Sequence, residues 1–196
     1  MSKSDPASQK KERRKTIRWV VTIFFVTILI SGAISLISDE IMSSSGMVVA
    51  FLILLAIILI GIIFDIIGVA VTSADEKPFH SMAARKVPGG QEAIRLLRNA
   101  ERVSSICNDV VGDICGVVSG SASATIAAQV LQNFEFSWPN MVSLVMSAIV
   151  AGLTVGGKAI GKTFAINSCT QIISTVGRLI HTFRCMLTLF RKRDKK

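Results

Sequence analysis

Lysine and arginine are missing from the two longest stretches of this 196-residue chain: all 22 lie at or before Arg18, between Lys77 and Arg102, or from Lys158 onward. With 51% hydrophobic residues and a mean hydropathy of +0.57, such stretches exclude an ordinary soluble domain, and the length leaves room for a single membrane domain. Histidine and cysteine are scarce too. Two histidines and four cysteines include no CxxC or His/Cys spacing, which excludes a zinc site. Cys107, Cys115, Cys169 and Cys185 fall within the membrane or on its cytoplasmic side, where a disulfide framework does not form. No nucleophile with a base, no acid and base pair and no phosphate loop is visible. Gly156-Gly157-Lys158 lacks the Walker spacing, so the chain does not read as an enzyme. The net charge of +9 comes without an aromatic and basic platform, which argues against nucleic acid. The cations flank apolar runs instead, and membrane orientation with contact to an anionic inner leaflet accounts for them.

What is present is a set of apolar runs joined by two kinds of connection. Residues 38–45 and 132–140 contain no Lys or Arg and carry only Asp39, Glu40 and Glu135. The other connections are basic. By the positive-inside rule this predicts a multi-pass protein of the cell membrane with both termini cytoplasmic. The first run is not a signal peptide: residues 17–37 exceed an h-region of roughly 7 to 15, and no small-x-small cleavage site follows.

The expected fold is all-α: a polytopic membrane helix bundle of four spans, with a cytoplasmic amphipathic helical hairpin and a C-terminal interfacial helix. Residues 1–15 read as a basic cytoplasmic N-terminus, disordered or lying on the inner leaflet. Residues 16–163 form the transmembrane domain, including the hairpin at 75–102, and residues 164–196 form a basic amphipathic cytoplasmic tail. The spans run over 16–37, a lipid-facing anchor, then 46–73, 103–131 and 141–157. The hairpin helices, 78–86 and 91–102, flank Val87-Pro88-Gly89-Gly90. Phe134, Phe136 and Trp138 are expected as interfacial aromatics, with Pro139 opening the fourth span. His80 and His181 read as interfacial side chains.

Three carboxylates interrupt the spans: Asp65, Asp109 and Asp113. At about 1.5 Å per residue all three lie roughly 9 to 15 Å in from the cytoplasmic end, and ionisable groups at that depth by default face a bundle interior or a watery cavity. Asp109 and Asp113 are four residues apart and share a helix face, and Asn108 adds an amide oxygen. On span two, Gly61, Asp65, Gly68 and Thr72 fall on one stripe. Carboxylate, amide and hydroxyl oxygens suit a hard divalent cation such as Mg²⁺, or protons, and not a soft metal. Asp65, Asn108, Asp109 and Asp113 are therefore the candidate cation ligands. The alternative is that Asp109 and Asp113 pair with Lys158 or Lys162. Glycines at 112, 116 and 120, at 152 and 156, and at 157 and 161 predict close packing of spans two to four; the other use of such spacing is a homodimer face. Gly156-Gly157 is a candidate for an unwound helix end.

Three segments together resemble a known family: Ala70-Val71-Thr72-Ser73, the helix ending Asn99-Ala100-Glu101-Arg102, and Gly157-Lys158-Ala159-Ile160-Gly161-Lys162-Thr163-Phe164-Ala165. Over residues 46–179 the pattern resembles the transmembrane module of the CorC/CorB and cyclin M magnesium and cobalt transporters. The resemblance implies transport of Mg²⁺, with Co²⁺ second, and makes Asn108 the counterpart of the family's ion-binding asparagine. It also makes the first span an addition that turns the N-terminus inward. Two positions depart from the family. Ile67-Gly68-Val69-Ala70 stands where a Ser-Glu-Thr-Ala-like stretch is usual, and Lys158 replaces an acid in the Gly-Glu-x-x-Pro-Lys pattern. The nucleotide-binding CBS pair is absent, so ATP sensing is not implied. The competing expectation is a non-transporting membrane scaffold or regulatory subunit, its acids and lysines paired internally.

Overall fold

The computed structural model describes residues 6–44, 46–133 and 138–193, and every regular element within them is a helix. In chain order these are α1 (Pro6–Ser44), α2 (Met47–Ser73), α3 (Lys77–Ala84), α4 (Gly90–Arg98), α5 (Ala100–Ser105), a π-helical turn (Ile106–Val111), α6 (Gly112–Asn133), α7 (Pro139–Asn167) and α8 (Cys169–Arg193). Four stretches are long and apolar enough to cross a membrane: Ile17–Ser38, Met47–Ser73, Ala100–Asn133 and Asn140–Asn167. The molecule is thus an all-α helical bundle of the multi-pass membrane type, an architecture in which each span satisfies its own backbone hydrogen bonds. The expected outer-loop residues Phe134, Glu135 and Phe136 lie outside the described residues, as do residues 1–5 and 194–196. Trp138 is exposed immediately before Pro139, which occupies the first turn of α7.

Helix α2 is the axis of the bundle and packs against both α6 and α7. Its buried residues, Ala50, Leu54, Ile58, Gly61, Asp65, Gly68 and Val71 among them, recur every three or four positions and so form one stripe. The stripe changes character along its length. Ala50, Leu54 and Ile58 join Ala122, Ile126 and Val150 in one apolar cluster. At the other end Ala70 and Val71 join Phe79, Ala93, Leu97, Ala165 and Ile173 in a second. Gly61, Asp65 and Gly68 lie between the two.

Several boundaries differ from the sequence expectation. Residues 6–15 are helical and continuous with the first span, because nothing between Pro6 and Thr16 breaks the helix once the span has nucleated it. That span is no isolated anchor: α1 packs against α6, and the least exposed of its described side chains, Ile23, Thr27, Ser31, Ser35 and Ser38, make a seam in which four of the five are small hydroxyls that permit close approach. The hairpin's second helix stops at Arg98; Asn99 leaves helical geometry at φ −116°, and Ala100 already belongs to the third span. The fourth span runs on to Asn167, so Gly156 and Gly157 are helical and not unwound.

The hairpin is clamped by α8. The α3–α4 turn contains Lys86 at φ 54° and Gly89 at φ 90°. A Cβ at Gly89 would stand 2.7 Å from the Gly177 carbonyl carbon, so the backbone of α8 lies directly on the turn. Neither histidine stands alone: His80 meets Glu76 at 3.3 Å and His181 meets Glu92 at 3.6 Å. Arg184 also reaches Glu92, at 3.8 Å. Ile173 is fully buried, whereas Leu179, Phe183 and Leu187 continue the apolar stripe of α8 uncovered. All four cysteines are free thiols.

Candidate functional site

Between the two apolar clusters the helices meet through glycines. A Cβ at Gly61 would come within 2.9 Å of the Cys115 Cβ, and one at Gly68 would fall on the Asn108 carboxamide, 2.7 Å from its Cγ. On the other side of α2, a Cβ at Gly161 would meet Ile66 Cγ1 at 2.9 Å. These glycines let α2 approach the third and fourth spans closely enough for polar atoms to be sealed from solvent without a polar partner opposite them.

The third span reaches this level through its π-helical turn, Ile106–Val111. Here the irregular backbone expected at Gly156-Gly157 is found instead. A π-bulge widens the helix by a residue and recurs at functional sites because it re-aims neighbouring side chains. Asn108, inside it, turns onto α2 at Gly68, while Asp109, the next residue, is exposed. Asn108 Nδ2 donates to Ser104 Oγ at 3.3 Å, which orients the carboxamide; its Oδ1 is buried and accepts no hydrogen bond. Asp65, only 4% exposed, likewise has a buried Oδ2 without a partner, one turn before Gly68 on the same stripe.

Lysine 158 enters from α7. Its Nζ donates to the Gly112 carbonyl at 3.4 Å, one turn along the third span from Asn108. Among the described residues no ion pair joins Asp65, Asp109 or Asp113 to Lys158 or Lys162.

The structure divides the four candidate ligands. Asp65 and Asn108 turn inward at the α2 contact. Asp109 and Asp113 share a face, as their spacing requires, but that face is exposed and not directed at the bundle interior. Among the described residues no three His, Cys, Asp or Glu side chains cluster closely enough to hold a metal. Equal depth did not mean convergence, because depth fixes position along a helix axis and says nothing of rotation about it. Thr72 also leaves the stripe, donating to the Val69 carbonyl of its own helix at 2.9 Å. Ser104 is the contributor that sequence reasoning missed. Its spacing four residues before Asn108 was the available signal.

Comparison of the chain with family models, with characterised proteins and with solved structures gives no match in any of the three.

Proposed function

We propose that the chain is a divalent-cation transporter module of the cell membrane, with Mg²⁺ the first candidate and Co²⁺ the second, and with both termini cytoplasmic. The observation that carries this reading is the pair of buried, partnerless oxygens, Asp65 Oδ2 and Asn108 Oδ1, at the one place where the third span departs from α-helical geometry. A carboxylate in a bundle interior without a partner is costly, and such residues mark ion pathways. Mg²⁺ keeps several of its waters and needs only one or two protein carboxylates, so Asp65 with Asn108 is a sufficient protein contribution. Asp109 and Asp113 stand outside that pair. The resemblance of residues 46–179 to CorC/CorB and cyclin M modules supports the same substrate class. The basic face of α8 and the cations of the hairpin would rest on an anionic inner leaflet.

Lys158 favours the second reading, a non-transporting scaffold, since its ammonium already supplies a cation one turn away at Gly112. Thermal stability of the purified protein with and without millimolar Mg²⁺, together with Mg²⁺, Co²⁺ and Na⁺ flux in proteoliposomes, separates the two. A transporter gains stability with Mg²⁺. Asp65→Asn removes that gain while stabilising the metal-free protein, because a neutral carboxamide costs less to bury than an unpaired carboxylate. Lys158→Glu enlarges the Mg²⁺ response. A wild type indifferent to Mg²⁺, with Lys158→Glu unfolding regardless of metal, would leave the scaffold.

A further inference from the structure

Helix α8 has two faces, and the rest of the chain uses only one. Toward the hairpin, Ile173 and Gly177 are buried, and Glu92 of α4 meets His181 at 3.6 Å and Arg184 at 3.8 Å. Around the helix from these, Leu179, Phe183 and Leu187 recur every four residues and share a stripe, on which Phe183 is 68% exposed. A shallow groove of about 440 Å³ follows this stripe, walled by Leu179, Ile180, Phe183, Arg184 and Leu187. The stripe begins where α8 leaves the bundle, since Ile172 and Ile173 still belong to the apolar cluster at the end of α2. Contact of the Gly177 backbone with the turn at Gly89 fixes the direction of α8. The distal half therefore projects past the hairpin with its apolar side bare.

Charge decides what covers it. The sequence of α8 contains Arg178, Arg184, Arg191, Lys192 and Arg193 and no Asp or Glu, so a second α8 laid on the stripe would set like charges against each other. An apolar strip with Arg178 and Arg184 to either side, held at the basic end of the spans, matches an anionic lipid surface. Arg184 makes the match specific. The carboxylate that it reaches, Glu92, lies beyond hydrogen-bond distance, and an ion pair with so exposed a guanidinium holds weakly. A phosphodiester offers the same guanidinium two parallel charge-assisted hydrogen bonds, the stronger contact. We infer that the distal half of α8 binds an anionic phospholipid, with an acyl chain in the groove against Leu179, Phe183 and Leu187 and the phosphate taking Arg184 from Glu92. His181 remains on Glu92 after the exchange, so the clamp on the hairpin is kept. The inference rests on the inner-leaflet placement of α8 in the proposed function, and it stands whether or not Asp65 and Asn108 hold a cation.

The test is tryptophan quenching by acyl-brominated lipid in the full-length protein, with Trp19→Phe and Trp138→Phe to clear the background and Phe183→Trp as the reporter. Vesicles contain phosphatidylcholine and phosphatidylglycerol, with one or the other brominated; both leaflets carry both lipids, so protein orientation does not matter. Quenching by brominated phosphatidylglycerol should exceed that by brominated phosphatidylcholine about twofold, the preference expected of a guanidinium on phosphate. Phe25→Trp on the first span should be quenched equally by the two, and Cys185→Trp, on the opposite side of α8, by neither. Arg184→Gln should bring the ratio at the reporter to that of the Phe25→Trp reference, whereas Glu92→Gln, which removes the competitor, should raise it. Helix content must match that of the parent for a variant to count. A reporter quenched by neither lipid overturns the inner-leaflet placement and the lipid site together, and protection that grows with protein-to-lipid ratio assigns the stripe to a second copy instead. Equal quenching by both lipids keeps the placement but overturns the lipid site. So does a preference that survives Arg184→Gln or ignores Glu92→Gln.

Discussion

Helix α2 buries two kinds of surface along one stripe, and the two ends of that stripe are built on opposite principles. From Ala50 to Ile58 the contact is made by side-chain volume: Leu54 and Ile58 fill the space before Ala122 and Ile126. From Gly61 to Gly68 it is made by missing side chains, and the neighbouring helix comes so close that Cys115 and Asn108 occupy the positions of absent Cβ atoms. The first arrangement stabilises, because buried methyl and methylene groups contribute apolar burial and dispersion. The second seals Asp65 Oδ2 and Asn108 Oδ1 without partners and weakens the fold locally. A polar storey of this kind persists only because apolar clusters clamp it on both sides, and natural proteins break the rules of good packing in this way at functional sites.

The comparison breaks most visibly if one clamp is removed. Phe79 is fully buried where α3 meets α2 and α4, and Phe79→Ala should cost about 3–5 kcal/mol, the range for emptying an aromatic core position. Chemical unfolding in detergent measures it. The polar storey should respond as well, through faster hydrogen exchange over Ile106–Val111, since Cys107 is that turn's one buried side chain. Unchanged exchange there would mean that the clamp and the storey are independent.

A smaller change strikes the storey itself. Gly68→Ala adds one methyl group where Asn108 already stands, and overpacking of this kind costs about 1–3 kcal/mol. The same methyl should displace the Asn108 carboxamide and abolish any Mg²⁺ response. If the variant is as stable as wild type and still responds to Mg²⁺, the close approach of α2 to the π-helical turn is wrong.

The number of candidate spans and the basic hairpin between the second and third were legible from charge and hydropathy, because each depends on composition over many residues. What was not legible depends on rotation and local geometry. Asp65, Asp109 and Asp113 are expected at one depth, yet only Asp65 turns inward; Asn108 and Asp109, as successive helical residues, point in different directions, so one meets α2 and the other is exposed. The glycines divide in the same way. Gly112, Gly157 and Gly161 do pack against neighbours, while Gly116, Gly120, Gly152 and Gly156 have open space at the Cβ position, a distinction that the GxxxG spacing carries for neither set. The hydroxyls along α1 lie in a span whose apolar character predicts a lipid-facing anchor. Their regular spacing was the signal for a helix-facing seam.

The smallest effect provides the sharpest control. Gly156 and Gly157 are adjacent in one unbroken helix, so they share backbone geometry, helix propensity and depth. They differ in what lies beside them: a Cβ at Gly156 meets nothing within 4 Å, whereas one at Gly157 would run into the side chain of Ile62, whose Cγ1 lies at 3.2 Å. Gly156→Ala should therefore stabilise the bundle slightly, by about 0.4–1 kcal/mol, because the unfolded chain loses freedom and the folded one loses nothing. Gly157→Ala gains the same term but must move Ile62 away from the α2–α7 contact, and the net sign should reverse. Measured side by side in the same detergent, the pair cancels every general effect of replacing glycine in a membrane helix. Equal changes at the two positions would show that α2 and α7 are not in close contact there, and the polar storey would lose the wall that holds α2 against the third span.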